Sequence, residues 1–205
     1  MTSSTVEVAG VIALAGVAGT VGSLAYLHVA PTGLSPVRNA VSQYGITKYR
    51  SGYRAATISL GIAGAALVVG IDSAVQGKGR AVLVALLVVF AVARLVISWF
   101  PMDEPGATRT SIGSAHGLIA IVTFGAATAA AFRLGSVLGQ EARWHALAPV
   151  STALGWAMLA CLAGMFLGRV SPAIRDRFGL VERAFYVAMI GWATVFAVAC
   201  AAQVT

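Results

Sequence analysis

Apolar residues fall into six long runs separated by five polar segments. The runs cover residues 8–29, 55–75, 81–100, 114–138, 146–168 and 183–204. Each is close to the roughly 20 residues that a helix needs to cross a bilayer's hydrocarbon core. Their interiors carry few polar side chains and no proline. Only helices or closed barrels satisfy their backbone in lipid, and runs of this length are helical. The pattern predicts an all-α, polytopic transmembrane bundle of six helices, forming one domain over residues 1–205.

Small residues recur four apart within these runs: Ala15, Gly19 and Ser23; Ala66, Gly70 and Ala74; Gly164 and Gly168. Such stripes let helix backbones approach closely. They predict packing faces inside the bundle, and they allow a homo-oligomer or a membrane-complex partner without selecting either.

The polar segments differ in length. Residues 76–80 and 139–145 are short, whereas loop 1 (30–54), loop 3 (101–113) and loop 5 (169–182) are longer. With six spans, loops 1, 3 and 5 emerge on one side. That side carries nine basic residues: Arg38, Lys48, Arg50, Arg54, Arg109, Arg169, Arg175, Arg177 and Arg183. The other carries four: Lys78, Arg80, Arg133 and Arg143. By the positive-inside rule, loops 1, 3 and 5 are expected in the cytoplasm and both termini outside a cell membrane. The first run lacks a basic region before it and a clear cleavage site after it, so it reads as a retained helix.

Composition narrows the class. The 205 residues are 59% hydrophobic and 10% charged, with mean hydropathy +0.86. Soluble domains run near 45–50% apolar and about 25% charged. A soluble enzyme, a secreted disulfide scaffold and a disordered chain are therefore excluded. The net charge of +7 points to anionic membrane lipids as partners, and not to nucleic acid, because no soluble basic surface is available to carry it. Cys161 and Cys200 lie inside apolar runs and read as buried small residues. No cofactor or metal is expected. The halves show no inverted repeat or broken span, which weighs against alternating access.

Arg94 is the most informative residue. It lies six positions before Phe100, about 9 Å inside the end of its helix at 1.5 Å rise per residue. It either snorkels to the interface, pairs structurally or faces a ligand. Asp103 and Glu104 follow in a turn stiffened by Pro101 and Pro105. His116 opens the fourth run on the same side, as a candidate base, ligand or capping residue. His28 ends the first run on that side too, so a His28–His116 pair is topologically allowed. Arg94, Asp103 and His116 are expected in one pocket, with Arg94 and Asp103 paired. Loop 1 offers Arg38 and Arg54 among tyrosines, suited to a phosphate or a lipid headgroup. Glu182 reads as an acid favoured by the dipole at the start of the sixth helix.

Four short motifs occur in order: Ser42-Gln43-Tyr44-Gly45, Phe100-Pro101-Met102-Asp103, Ala115-His116-Gly117 and Gly179-Leu180-Val181-Glu182-Arg183. Together they resemble the bacterial and archaeal membrane family called domain of unknown function 998. The resemblance spans loop 1 to helix 6. It implies a six-helix fold and membrane location, and no reaction. The resemblance implies that many members carry a second His four residues after the first; this chain has Ala120 there, which weakens a metal or His-pair site.

The function expected from these residues is binding of an anionic lipid headgroup or phosphate. Arg38, Arg54, Arg94, Arg109 and Arg183 would contact the anion, with Asp103 and His116 orienting them or moving a proton. The competing readings are a membrane enzyme using Asp103 and His116 as acid and base, a small-solute transporter, and an accessory subunit of a larger complex.

Overall fold

A computed structural model describes residues 3–202. Among these residues all regular structure is helical. The helices are α1 (Ser3–Val29), α2 (Arg50–Ala74), α3 (Arg80–Val96), α4 (Ser111–Leu138), α5 (Ala148–Leu167), the single-turn α6 (Pro172–Arg175) and α7 (Phe178–Ala202). Short 3-10 turns cover Val41–Ile46, Ile97–Trp99 and His145–Leu147. Six of the helices are long and apolar enough to cross a membrane. The chain is an all-α, multi-pass transmembrane bundle.

Successive spans pack as neighbours, α1 on α2 and so on to α5, and α7 then packs against both α5 and α1 to close the ring. α2 and α7 also touch across the middle, and they are the most buried spans, while α5 is the least. Close approach depends on small residues. A Cβ at Gly10 would strike the backbone of Ala197 and Ala201 in α7, and one at Gly16 the backbone of Ser59 and Ala63 in α2. A Cβ at the stripe residues Gly19 and Gly70 would instead meet the side chains of Ser59 and Cys200. Midway, the Trp192 indole donates to Ser151 Oγ at 2.9 Å, and Ser151 donates to the Ala131 carbonyl at 2.8 Å. This joins α7, α5 and α4 with every buried polar atom in the chain of bonds satisfied.

The end bearing loop 2 (76–80) and loop 4 (139–145) is closed by polar contacts. Glu141 accepts the backbone N–H groups of Gln76 and Gly77, and Arg80 pairs with Asp72 at 2.7 Å.

Helix boundaries differ from the apolar runs where polar residues continue a helix. α2 begins at Arg50 and α4 at Ser111, because polar first turns reach past the apolar stretch. α3 ends at Val96 and tightens into a 3-10 turn before Pro101. α7 begins at Phe178, so Glu182 and Arg183 lie in its second turn, not at its start. The sixth run's expected end at residue 204 lies outside the described residues.

Candidate functional site

Loops 1, 3 and 5 and the helix ends around them form one polar assembly, held together by the motif residues. Arg183 is its centre. Its Nε donates to His28 Nε2 at 2.8 Å, Nη1 to the carbonyls of Asn39 at 2.8 Å and Gly179 at 3.0 Å, and Nη2 to Tyr44 Oη at 3.2 Å. For His28 Nε2 to accept, its proton must sit on Nδ1, which faces the Leu24 carbonyl at 2.7 Å. One guanidinium thus fixes α1, loop 1 and α7.

Glu182 is 4% exposed and accepts the Val41 N–H at 2.7 Å. Leu180 N–H donates to the Val37 carbonyl at 3.0 Å. Gly179 permits this: a Cβ there would meet the carbonyl oxygens of Asn39 and Pro36. The expectation that Glu182 merely favours the start of its helix is corrected. Its carboxylate receives loop 1.

Asp103 does not pair with Arg94. It accepts the Thr110 N–H at 3.0 Å and the Thr110 hydroxyl at 2.6 Å, while Thr110 Oγ1 caps the Gly113 N–H at 3.0 Å. These Thr110 bonds hold the Asp103 carboxyl below its ordinary value of 3.8. The start of α4 offers the Asp103 carboxylate donors that need no buried charge. Gly113 leaves no room for a Cβ beside Asp103.

Arg94 is 1% exposed, so it does not snorkel. Its Nη1 donates to Tyr186 Oη at 2.9 Å, with the guanidinium 5.3 Å from the centre of that ring. Tyr53, Glu182 and His116 lie near enough to interact with its charge. The Arg94 Nε and Ser98 Oγ atoms, one turn apart, are buried without a protein hydrogen-bond partner. His116 is 6% exposed and its Nδ1 lies 2.6 Å from the Phe100 carbonyl, which accepts its proton. His116 and Arg94 thus share the interior, while Asp103 sits at the edge. His28 belongs to the Arg183 knot, and no group of three or more metal-ligating side chains occurs among the described residues.

The other predicted arginines lie outside this interior. Arg38 is exposed beside Asp176 and Arg177, and Arg54 lies over the Trp99 ring at 5.0 Å. Arg109 lines a separate crevice of about 560 Å³ between α4 and α5. Its walls are apolar, from Leu118, Ile121, Phe124, Leu162, Met165 and Phe166, and its mouth carries Arg109, Arg169 and Arg175. Gly117 and Ala120 keep the α4 wall shallow; a Cβ on Gly117 would have only the Arg109 guanidinium as a neighbour, at 4.0 Å. Phe124 separates crevice from interior: its ring lies 6.0 Å from that of Tyr186, edge to face.

Six apolar spans joined at one end by these motif residues match a known family profile over residues 9–199. The chain belongs to the DUF998 family. The family is described as a protein of unknown function. No curated protein and no solved structure matches the chain. The residues that carry the DUF998 resemblance mostly bind one another: Tyr44 to Arg183, Ser42 Oγ to Met102 Sδ at 3.2 Å, Phe100 to His116, and Gly179 against loop 1.

Sequence reasoning counted Arg169 and Arg175 only as topological charge and missed them as crevice residues. No spacing rule joins loop 3 to the end of α5. It also passed over Tyr186, whose place four residues after Glu182 on an apolar helix was a legible sign of a buried polar face.

Proposed function

We propose that this DUF998 protein binds an anionic lipid, drawn from the leaflet on the side of loops 1, 3 and 5, and that this side is cytoplasmic in a cell membrane. The crevice between α4 and α5 carries the reading. It lies between two spans, its walls are apolar, and three arginines stand at its mouth. Ligand sites commonly have volumes of about 300–1,000 Å³ with mostly apolar walls and a few placed polar groups, and about 560 Å³ falls within that range. An acyl chain in the crevice would leave a phosphate level with the guanidiniums, which suit phosphate oxygens. Arg109 is the member of the sequence-derived set that lines the crevice. Of the others, Arg94 and Arg183 are engaged within the protein.

An acid–base reading draws less support. Asp103 and His116 each hold backbone at different places, the start of α4 and the end of α3. Neither an oligomer nor a complex partner is required for lipid binding by this crevice.

The test is lipid retention by protein purified in detergent and measured by native mass spectrometry. Wild type should retain anionic lipid in preference to zwitterionic lipid. Gly117→Leu should fill the crevice and reduce retention by about tenfold or more, the scale of one lost ligand interaction of about 1.4 kcal/mol, while the melting temperature stays close to wild type. Equal retention by wild type and Gly117→Leu would overturn the proposal.

A further inference from the structure

We infer that the crevice selects lipids whose headgroup ends in a phosphomonoester, in preference to phosphodiester lipids of the same chain length. The inference rests on the lipid-binding reading above and specifies its ligand. Arg109, Arg169 and Arg175 line one crevice, and among the described residues none of the three is in ion-pair contact with a carboxylate. Asp103 lies close enough to be felt by Arg109, but its oxygens are held by Thr110. Two of the arginines are steadied by neutral groups. The Arg109 Nε donates to Ser114 Oγ at 3.1 Å, and the Arg169 guanidinium lies 5.0 Å from the centre of the Phe166 ring. A guanidinium has five N–H donors and keeps its charge at any physiological pH. Each of these two therefore retains both charge and donors to offer a ligand.

The ligand's charge and shape follow. A phosphodiester brings a single negative charge and two terminal oxygens. A phosphomonoester carries about −1.5 to −2 at pH 7 and has three terminal oxygens. Arginines from three separate segments, loop 3, the turn after α5 and α6, line one crevice. Three guanidinium forks along one crevice suit a terminal tetrahedral group with three free oxygens. In a diester the second substituent would have to leave through that arginine rim, displacing one fork. The apolar wall of Ile121 and Phe124 below takes the chain that a soluble phosphate lacks, so the monoester is a lipid's.

The experiment uses the full chain in phosphatidylcholine nanodiscs doped with dioleoyl phosphatidic acid or dioleoyl phosphatidylglycerol, with bound lipid counted by native mass spectrometry. Glycerol 3-phosphate serves as a soluble competitor. Phosphatidic acid should be enriched over phosphatidylglycerol by about tenfold, one added charge-assisted hydrogen bond's worth. Arg175→Gln, at an exposed position, should bring the two lipids close to parity while the protein still prefers either to phosphatidylcholine. Glycerol 3-phosphate should compete poorly. Equal enrichment of both anionic lipids in wild type would overturn the monoester inference and leave the anionic-lipid reading standing. No enrichment of either over phosphatidylcholine would overturn both. Full competition by glycerol 3-phosphate at concentrations matching the lipid would make the ligand a soluble phosphate and overturn the inference.

Discussion

Asp103 and Arg94 show how single charges are accommodated at this end of the bundle. Both were legible in the sequence as residues that need an explanation, and each found a different one. Arg94 lies buried against a tyrosine hydroxyl and ring, because an intramembrane charge is costly unless it finds polar company. Asp103, outside the spans, took the backbone donors of α4. Its carboxyl titrates below the 3.8 it has when unfolded. A folded-state value lower than the unfolded one adds stability at every pH above the unfolded value, and that stability is lost as pH falls through the folded value. The contribution is therefore present at neutral pH, begins to fade near pH 3.8 and is gone only below the lower folded value. Asp103→Asn keeps an acceptor but no charge. Thermal melts of the detergent-solubilised protein should show wild type more stable than Asp103→Asn by a constant margin down to about pH 4, with the margin shrinking in stronger acid. A margin unchanged at the acid extreme would show that the carboxylate charge is not what steadies the start of α4.

Among the elements, loop 1 and α7 form a unit that no run of apolar residues announces. The six spans were readable because hydrophobic length is a direct demand of the bilayer, and the positions of α1 to α5 followed from it. The start of α7 was not readable. Its first two turns mix Phe178, Gly179 and Leu180 with the charged Glu182 and Arg183, and those charges became helical only because loop 1 supplies partners 139 to 144 residues away. Such pairing is tertiary and leaves no local periodicity. The crevice was unreadable for the same reason. The motif Gly179 to Arg183 was nonetheless recognisable as a unit, and the structure gives it a physical role. Gly179→Ala should push a Cβ into the Asn39 and Pro36 carbonyls, lift loop 1 and loosen the Glu182–Val41 bond. Overpacking of this kind costs about 1–3 kcal/mol. Gly125→Ala and Gly191→Ala meet open space and should change stability by no more than about 0.5 kcal/mol. Chemical denaturation of the three variants in mixed micelles measures the contrast. Equal effects at all three positions would leave loop 1 without its claimed seat on α7.

At the scale of the whole molecule, the proposed orientation can be argued more sharply with burial in hand. The positive-inside rule concerns solvated basic residues, so arginines engaged within the protein blur a count made from sequence. On the side of loops 1, 3 and 5, Arg183 is half-buried and bound on all sides. Setting it aside leaves Arg38, Lys48, Arg50, Arg54, Arg109, Arg169, Arg175 and Arg177, all exposed. On the other side Arg80 is paired with Asp72 and Arg133 donates to the Gly79 carbonyl at 3.3 Å; Lys78 and Arg143 are the exposed ones. The asymmetry of nine against four thus becomes eight against two, and the case for a cytoplasmic face at loops 1, 3 and 5 strengthens. The same face carries the crevice mouth, where inner-leaflet anionic lipids would meet it. Single cysteines at Thr108, in loop 3, and Lys78, in loop 2, test this in a background with Cys161 and Cys200 replaced by Ala. Both native side chains are exposed, and only α3 lies between them. In intact cells an impermeant maleimide should label the Lys78→Cys protein at once and the Thr108→Cys protein only after permeabilisation. The reverse pattern would invert the molecule and move the crevice to the outer leaflet. Labelling of both in intact cells would mean that α3 does not span the membrane, and the six-span arrangement would have to be abandoned.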